Sequence, residues 1–115
     1  MVRLNDFSWT LMAGPWNRHR RDKTHMPIVE RLRDLGCSVL DTSQVGNGAP
    51  DLLVGLLGRN YLVEAKSFGK PLSDGQREWH QAWLGHPPTV IWTPEQCEAW
   101  VKTTRQRFFA EFRIK

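Results

Sequence analysis

GNGAPDLLVGLLGRNYLVEAK, residues 46–66, holds two apolar β-type runs on either side of a glycine-bearing break. DLLVGLL (51–57) and YLVEAK (61–66) flank Gly58-Arg59-Asn60, which reads as a hairpin turn, so the two runs are expected as antiparallel neighbours. Side chains alternate along a strand, so Leu62, Glu64 and Lys66 share one face while Tyr61, Val63 and Ala65 share the other. A carboxylate and an ammonium therefore sit together at the end of the second run. The hairpin brings Asp51 opposite or diagonal to them, and the turn alone leaves the register open.

Outward from this hairpin the chain alternates helical and β patterns. Ile28, Val29, Leu32 and Leu35 fall on one helical stripe with Gly36 as a stop signal, which predicts a first helix over about 24–35. Residues 37–40 read as a short strand, followed by a polar loop broken by Gly46 and Gly48. Beyond the loop at Ser67–Pro71, Ser73 and Gln76 make a capping-box signature and Gly85 ends the segment, giving a second helix over about 74–84. A strand follows at 89–92. Thr93-Pro94 then opens a last helix, with Thr93 suited to cap it and Pro94 to its first position. The expected fold is α/β with the order α-β-β-β-α-β-α, a mixed central sheet flanked by helices, over residues 23–115. Residues 1–22 show no sustained period and read as a basic N-terminal arm.

The length of 115 residues suits one domain, and a hydrophobic fraction of 40% with 24% charged residues argues against wholesale disorder. No apolar run approaches the roughly 20 residues of a membrane span, and no signal-peptide pattern opens the chain, so a cytoplasmic protein is expected. Cys37 and Cys97 lack CxxC spacing and read as reduced, semi-buried residues. The net charge of +4 favours a polyanionic partner. Arg18, Arg20, Arg21 and Lys23 cluster beside His19, and Lys102, Arg105, Arg107, Arg113 and Lys115 crowd the other end. Solvated ends that aid solubility account for these runs equally well.

Two carboxylates side by side in an apolar sheet repel, and burying them uncompensated costs several kcal/mol by order of magnitude. A divalent cation resolves the conflict. Hard oxygen donors suit Mg²⁺ or Mn²⁺, so Asp51 and Glu64 are expected as ligands with the Ala65 carbonyl as a third oxygen. Lys66 is then placed to orient or help deprotonate a water and to stabilise phosphoryl charge, which points to phosphodiester hydrolysis. The bland alternative is a structural salt bridge from Lys66 to Glu64 or Asp51 at a sheet edge.

These residues resemble the PD-(D/E)XK nucleases, and within them the compact VRR-Nuc domains that stand alone in phages. The resemblance spans about residues 22–101, carried by the segment 46–66, by LSDGQREWHQAW (72–83) and by TVIWTPEQCEA (89–99). It implies a restriction-endonuclease-like core, divalent-metal dependence without a small-molecule cofactor, and cleavage of DNA, often by homodimers on branched structures. It also implies a phage or bacterial-cytoplasmic setting. Gln76 matches the glutamine such nucleases place near the site after the ExK strand, and capping the second helix can coexist with that role. Lys70 and His80, with Arg18, Arg20, Arg21 and Lys23, are the expected DNA contacts. His80 is equally well read as a satisfied core histidine, and Trp79 and Trp83 on the same helical sector are expected in the core. One departure stands out: family members carry a glutamate on the first helix, where this sequence offers His25 and Pro27. Glu30 lies opposite the apolar stripe and His25 lies on it, so His25 is the expected first-helix ligand.

Three readings follow. The first is a metal-dependent endonuclease acting on branched, flap or Holliday-junction DNA. The second is a non-catalytic nucleic-acid-binding module that keeps the fold. The third is a hydrolase of RNA or a restriction-type enzyme with sequence recognition, and little spare chain for a base-reading insertion counts against strong sequence specificity.

Overall fold

The computed structural model describes residues 25–113. The expected arm over 1–22, with Arg18, Arg20, Arg21 and Lys23, lies outside the described residues. Helix α1 spans His25–Asp34 and strand β1 Ser38–Asp41. Strands β2 (Leu52–Leu56) and β3 (Arg59–Ala65) form the hairpin, followed by helix α2 (Asp74–Ala82), strand β4 (Thr89–Ile91) and helix α3 (Pro94–Arg113). The order is the one expected, and among the described residues three helices flank a four-stranded mixed sheet ordered β1-β2-β3-β4. Strands β1, β2 and β3 are antiparallel in turn, while β4 runs parallel to β3 after the connection through α2. No helix among the described residues is long and apolar enough to cross a membrane.

Local chemistry sets the helix ends. Helix α1 stops in a Schellman motif: Cys37 N–H donates to Leu32 O and Gly36 N–H to Arg33 O, both at 3.0 Å, with Gly36 at φ 96°. Leu32 and Cys37, the apolar pair that accompanies such a motif, are both buried in the core. Arg105 of α3 donates from Nη2 to Leu35 O at 2.9 Å, adding a partner for the last carbonyls of α1. Helix α3 opens with Thr93, whose Oγ1 accepts from Gln96 N–H at 3.2 Å while Gln96 Oε1 accepts from Thr93 N–H at 3.2 Å. That reciprocal pair is a second capping box, with Pro94 at the first helical position.

The core lies between one face of the sheet and the pair α1/α3. On β2, Leu52, Val54 and Leu56 are buried and alternate with half-buried neighbours. They join Ile28, Val29 and Leu32 of α1, Val39, Val63, Ile91, and Cys97 and Val101 of α3. Both thiols are free and buried, and burial pushes each up to about 11.

Three expectations need correction. The hairpin turn is Leu57-Gly58 rather than Gly58-Arg59-Asn60: both turn residues have positive φ (56° and 76°), and Arg59 and Asn60 already belong to β3. Helix α2 ends at Ala82, because Trp83 leaves helical geometry at φ −70°, ψ 122°. Trp79 and Trp83 are not core residues. Helix α2 buries no residue, Trp83 is 46% exposed, and the two indoles stack on each other with centroids 4.8 Å apart. Both lie on the helix face of Gln76 and His80, but the core cluster is built without α2, and the indoles pack on each other instead.

Candidate active site

The two-residue turn fixes the register that the sequence left open. Leu52 pairs with Val63, so one further step along the ladder sets Asp51 opposite Glu64. The loop before β2 holds Asp51 there. Thr42 N–H donates to Asp51 O at 2.7 Å and Thr42 Oγ1 to Pro50 O at 2.8 Å, which ties the loop end back to β1. Gly48, at φ 86°, comes so close to α2 that a Cβ there would lie 2.4 Å from the Gly75 carbonyl oxygen. The loop bearing Asp51 and the start of α2 are thereby locked together.

Glu64 faces away from the main core toward α2, and it is 1% exposed. Its Oε2 accepts from Gln76 Nε2 at 3.2 Å, whereas Oε1 is buried without a hydrogen-bond partner. Burial above all, then the neighbouring Asp51 carboxylate, push Glu64 up to about 9, with Lys66 pulling the other way. A carboxyl so placed keeps its proton unless a cation replaces it.

Gln76 ties the site to its scaffold. Its backbone N–H donates to Ser73 Oγ at 3.2 Å and its Oε1 accepts from Ser73 N–H at 2.8 Å, the capping box of α2. The same Oε1 accepts from Lys66 Nζ at 3.0 Å. One side chain therefore caps a helix, orients an ammonium and donates to the buried carboxyl.

The structure brings His25, Asp51, Glu64, Ala65, Lys66, Lys70 and Gln76 around one open cleft of about 270 Å³, together with Ser67. His25 Nε2 lies 3.7 Å from Asp51 Oδ2. Glu30 is exposed on the far side of α1 and does not line the cleft. His80 lies on the inner side of α2 with Nε2 buried, unpartnered, and 3.8 Å from Glu64 Oε1. A side chain placed there faces Glu64 rather than solvent, and burial lowers its pKa. A larger hollow of about 800 Å³ runs beside α3 between Leu35, Val101, Arg105 and Phe109, but it lacks paired carboxylates. Chemistry rather than size selects the smaller cleft.

The donor set fits a hard divalent cation in one respect and limits it in another. Facing carboxyls with an unpartnered buried oxygen are what such an ion would neutralise. No three His, Cys, Asp or Glu side chains among the described residues converge on one point. The remaining ligands would have to be the Ala65 carbonyl, water and substrate phosphate, the shell that Mg²⁺ ordinarily keeps. The i, i+4 spacing places Gln76 and His80 on one helical face, and the structure sets His80 behind Glu64.

No family model and no curated protein sequence matches the chain significantly. Among solved structures it is similar to a VRR_NUC domain, at 28% sequence identity and a TM-score of 0.59. The match covers 70% of this chain and 91% of the other. The fold is therefore VRR_NUC-like.

Proposed function

We propose that the chain is a divalent-metal-dependent deoxyribonuclease that hydrolyses phosphodiester bonds in branched or flapped DNA. The observation that carries this reading is Asp51 opposite Glu64 on neighbouring strands, with Lys66 and Gln76 bonded beside them and one Glu64 oxygen left without a partner. The similarity to a VRR_NUC domain supports it.

Asp51, Glu64 and the Ala65 carbonyl would hold Mg²⁺ or Mn²⁺, with His25, 3.7 Å from Asp51, placed to hold that carboxylate rather than the ion. Bound there, the ion would neutralise phosphate charge and lower the pKa of a water. Lys66, fixed through Gln76 Oε1, orients the attacking water and donates to a non-bridging phosphate oxygen. Water oxygen forms the new bond to phosphorus as the P–O ester bond breaks, and the proton the water gives up passes through solvent to the leaving alkoxide. Lys70 at the cleft mouth contacts a neighbouring phosphate. Two copies acting as a homodimer would cut two strands of a junction.

The test is cleavage of labelled linear, flapped and four-way-junction DNA with Mg²⁺, Mn²⁺ or EDTA, comparing wild type with Asp51→Ala and Lys66→Ala. Metal-dependent cutting that both substitutions abolish is the expected result. Wild type that is folded and binds these DNAs but cuts none under any metal would replace this reading with a non-catalytic binding module.

A further inference from the structure

Next to the carboxylate cleft, and sharing Lys70 with it, lies a second hollow of about 300 Å³. Phe68, Pro71 and Trp92 supply its apolar wall, and Lys70 and Gln96 complete it. Phe68 is 80% exposed, an aromatic ring held in water between Lys66 and Lys70 in sequence. Its loop is pinned rather than slack. Lys70 N–H donates to Ser67 O at 3.0 Å, Gly69 supplies a positive φ of 80°, and Trp92 Nε1 donates to Lys70 O at 2.8 Å. Lys66 N–H donates to Ile91 O, and extending the parallel register by one step sets Lys66 beside Trp92. The two aromatic groups thus adjoin the residues that face phosphate.

Gln96 adds a polar handle. Its Oε1 accepts from the backbone N–H of Trp92 at 2.6 Å and of Thr93 at 3.2 Å. Two donors demand the oxygen on that side, so the amide NH₂ is the end left to serve a ligand.

We propose that this hollow is a subsite for an unpaired nucleobase next to the phosphate held at Asp51, Glu64 and Lys66. The proposal rests on the nuclease reading above and names what selects the substrate. A base inside a continuous duplex has both faces covered by its neighbours, and extruding it costs unpairing and unstacking energy. At a flap or junction that energy is already spent, and the free base can stack on Phe68 against Trp92 while Gln96 donates to a base acceptor. Stacking of this kind tolerates any base, so the selection is for structure rather than sequence. The positive charge of Lys70, common to both hollows, suits the phosphate that joins the stacked nucleotide to the one being cut.

The experiment places 2-aminopurine at the unpaired position of a flap, or at the same position in a continuous duplex, and titrates wild type, Phe68→Ala and Phe68→Trp in EDTA. Wild type is expected to alter the fluorescence of the flap probe alone. Phe68→Ala should lose that change and bind the flap about tenfold more weakly, with duplex affinity altered less than twofold, while Phe68→Trp restores both. Tight flap binding with no fluorescence response, or a Phe68→Ala variant equal to wild type, overturns the subsite. So does a Phe68→Ala variant whose sedimentation shows a changed oligomeric state with unchanged DNA binding, since the hollow is then a contact between copies. Wild type that binds no DNA of either form removes the nuclease reading itself, and the subsite with it.

Discussion

Replacing Glu64 by Gln keeps the shape of the side chain and removes the charge that its position opposes. The carboxyl is 1% exposed and sits opposite Asp51, and its pKa rises from 4.5 to about 9 through burial and the neighbouring Asp51 carboxylate. For an acid raised on folding, the folded state holds the proton more tightly than the unfolded one. Stability from this group is therefore fully present below about pH 4.5 and is lost progressively as pH rises toward 9. At pH 7 the loss spans about two and a half units at about 1.36 kcal/mol each, or about 3 kcal/mol. Glu64→Gln should recover about that amount in EDTA at pH 7 and almost none at pH 4.5. Urea unfolding of both proteins between pH 4.5 and 8.5 measures it, the range being set by the two ends of the shift. A variant whose advantage does not grow with pH, or that is the less stable protein at pH 7, refutes the account of Glu64 as a buried carboxyl in conflict with Asp51.

Other consequences are separately measurable. Mg²⁺ or Mn²⁺ should raise the melting temperature of the wild type and leave that of Glu64→Gln almost unmoved; equal shifts in both would place the ion elsewhere. Gly48→Ala should cost about 2 kcal/mol or more, because left-handed backbone alone costs an L-residue about 1–2 kcal/mol and the new Cβ would meet the Gly75 carbonyl; an unchanged urea midpoint would deny the close approach. Ser73→Ala should cost about 1 kcal/mol of stability with DNA cleavage retained, whereas Gln76→Leu should lose both cap and cleavage. Native Cys37 and Cys97 should resist a disulfide reagent at pH 8 and react in urea, since burial holds both thiols near 11.

The parts of the fold that were legible in the sequence are those whose partners lie within a few residues. Gly36 ending α1, Ser73 with Gln76 opening α2, and Thr93-Pro94 opening α3 each act through hydrogen bonds that the local sequence already contains. The hairpin turn was not of that kind. Gly58 and Asn60 are both favoured turn residues and draw the turn toward 58–60, whereas the structure puts Leu57 at φ 56°, a conformation seldom adopted by a branched apolar residue. Leu57 is held there by packing against the core cluster, a contact no local pattern reveals. The difference decides the chemistry. A turn at 58–60 pairs Leu57 with Tyr61 and carries Asp51 opposite Ser67, while the turn at 57–58 carries it opposite Glu64. Trp79 and Trp83 failed for a related reason, because helical spacing shows which side chains share a face and not what lies in front of it.

Gln76 explains why the residue types of the site were readable even where its geometry was not. A glutamate at the third position of α2 would cap Ser73 as well as a glutamine does. It would also set a carboxylate against Glu64, which is already opposed by Asp51. Glutamine alone satisfies both neighbours, because its oxygen serves the two donors, Ser73 N–H and Lys66 Nζ, and its NH₂ is thereby turned toward Glu64 Oε2. The cap fixes the amide, the amide fixes Lys66 and Glu64, and the Gly48–Gly75 approach fixes α2 against the loop that presents Asp51. Three distant sequence segments are thus held to one geometry through a single side chain and a single backbone contact, so a signature that reads in sequence as a helix start is also what positions the site.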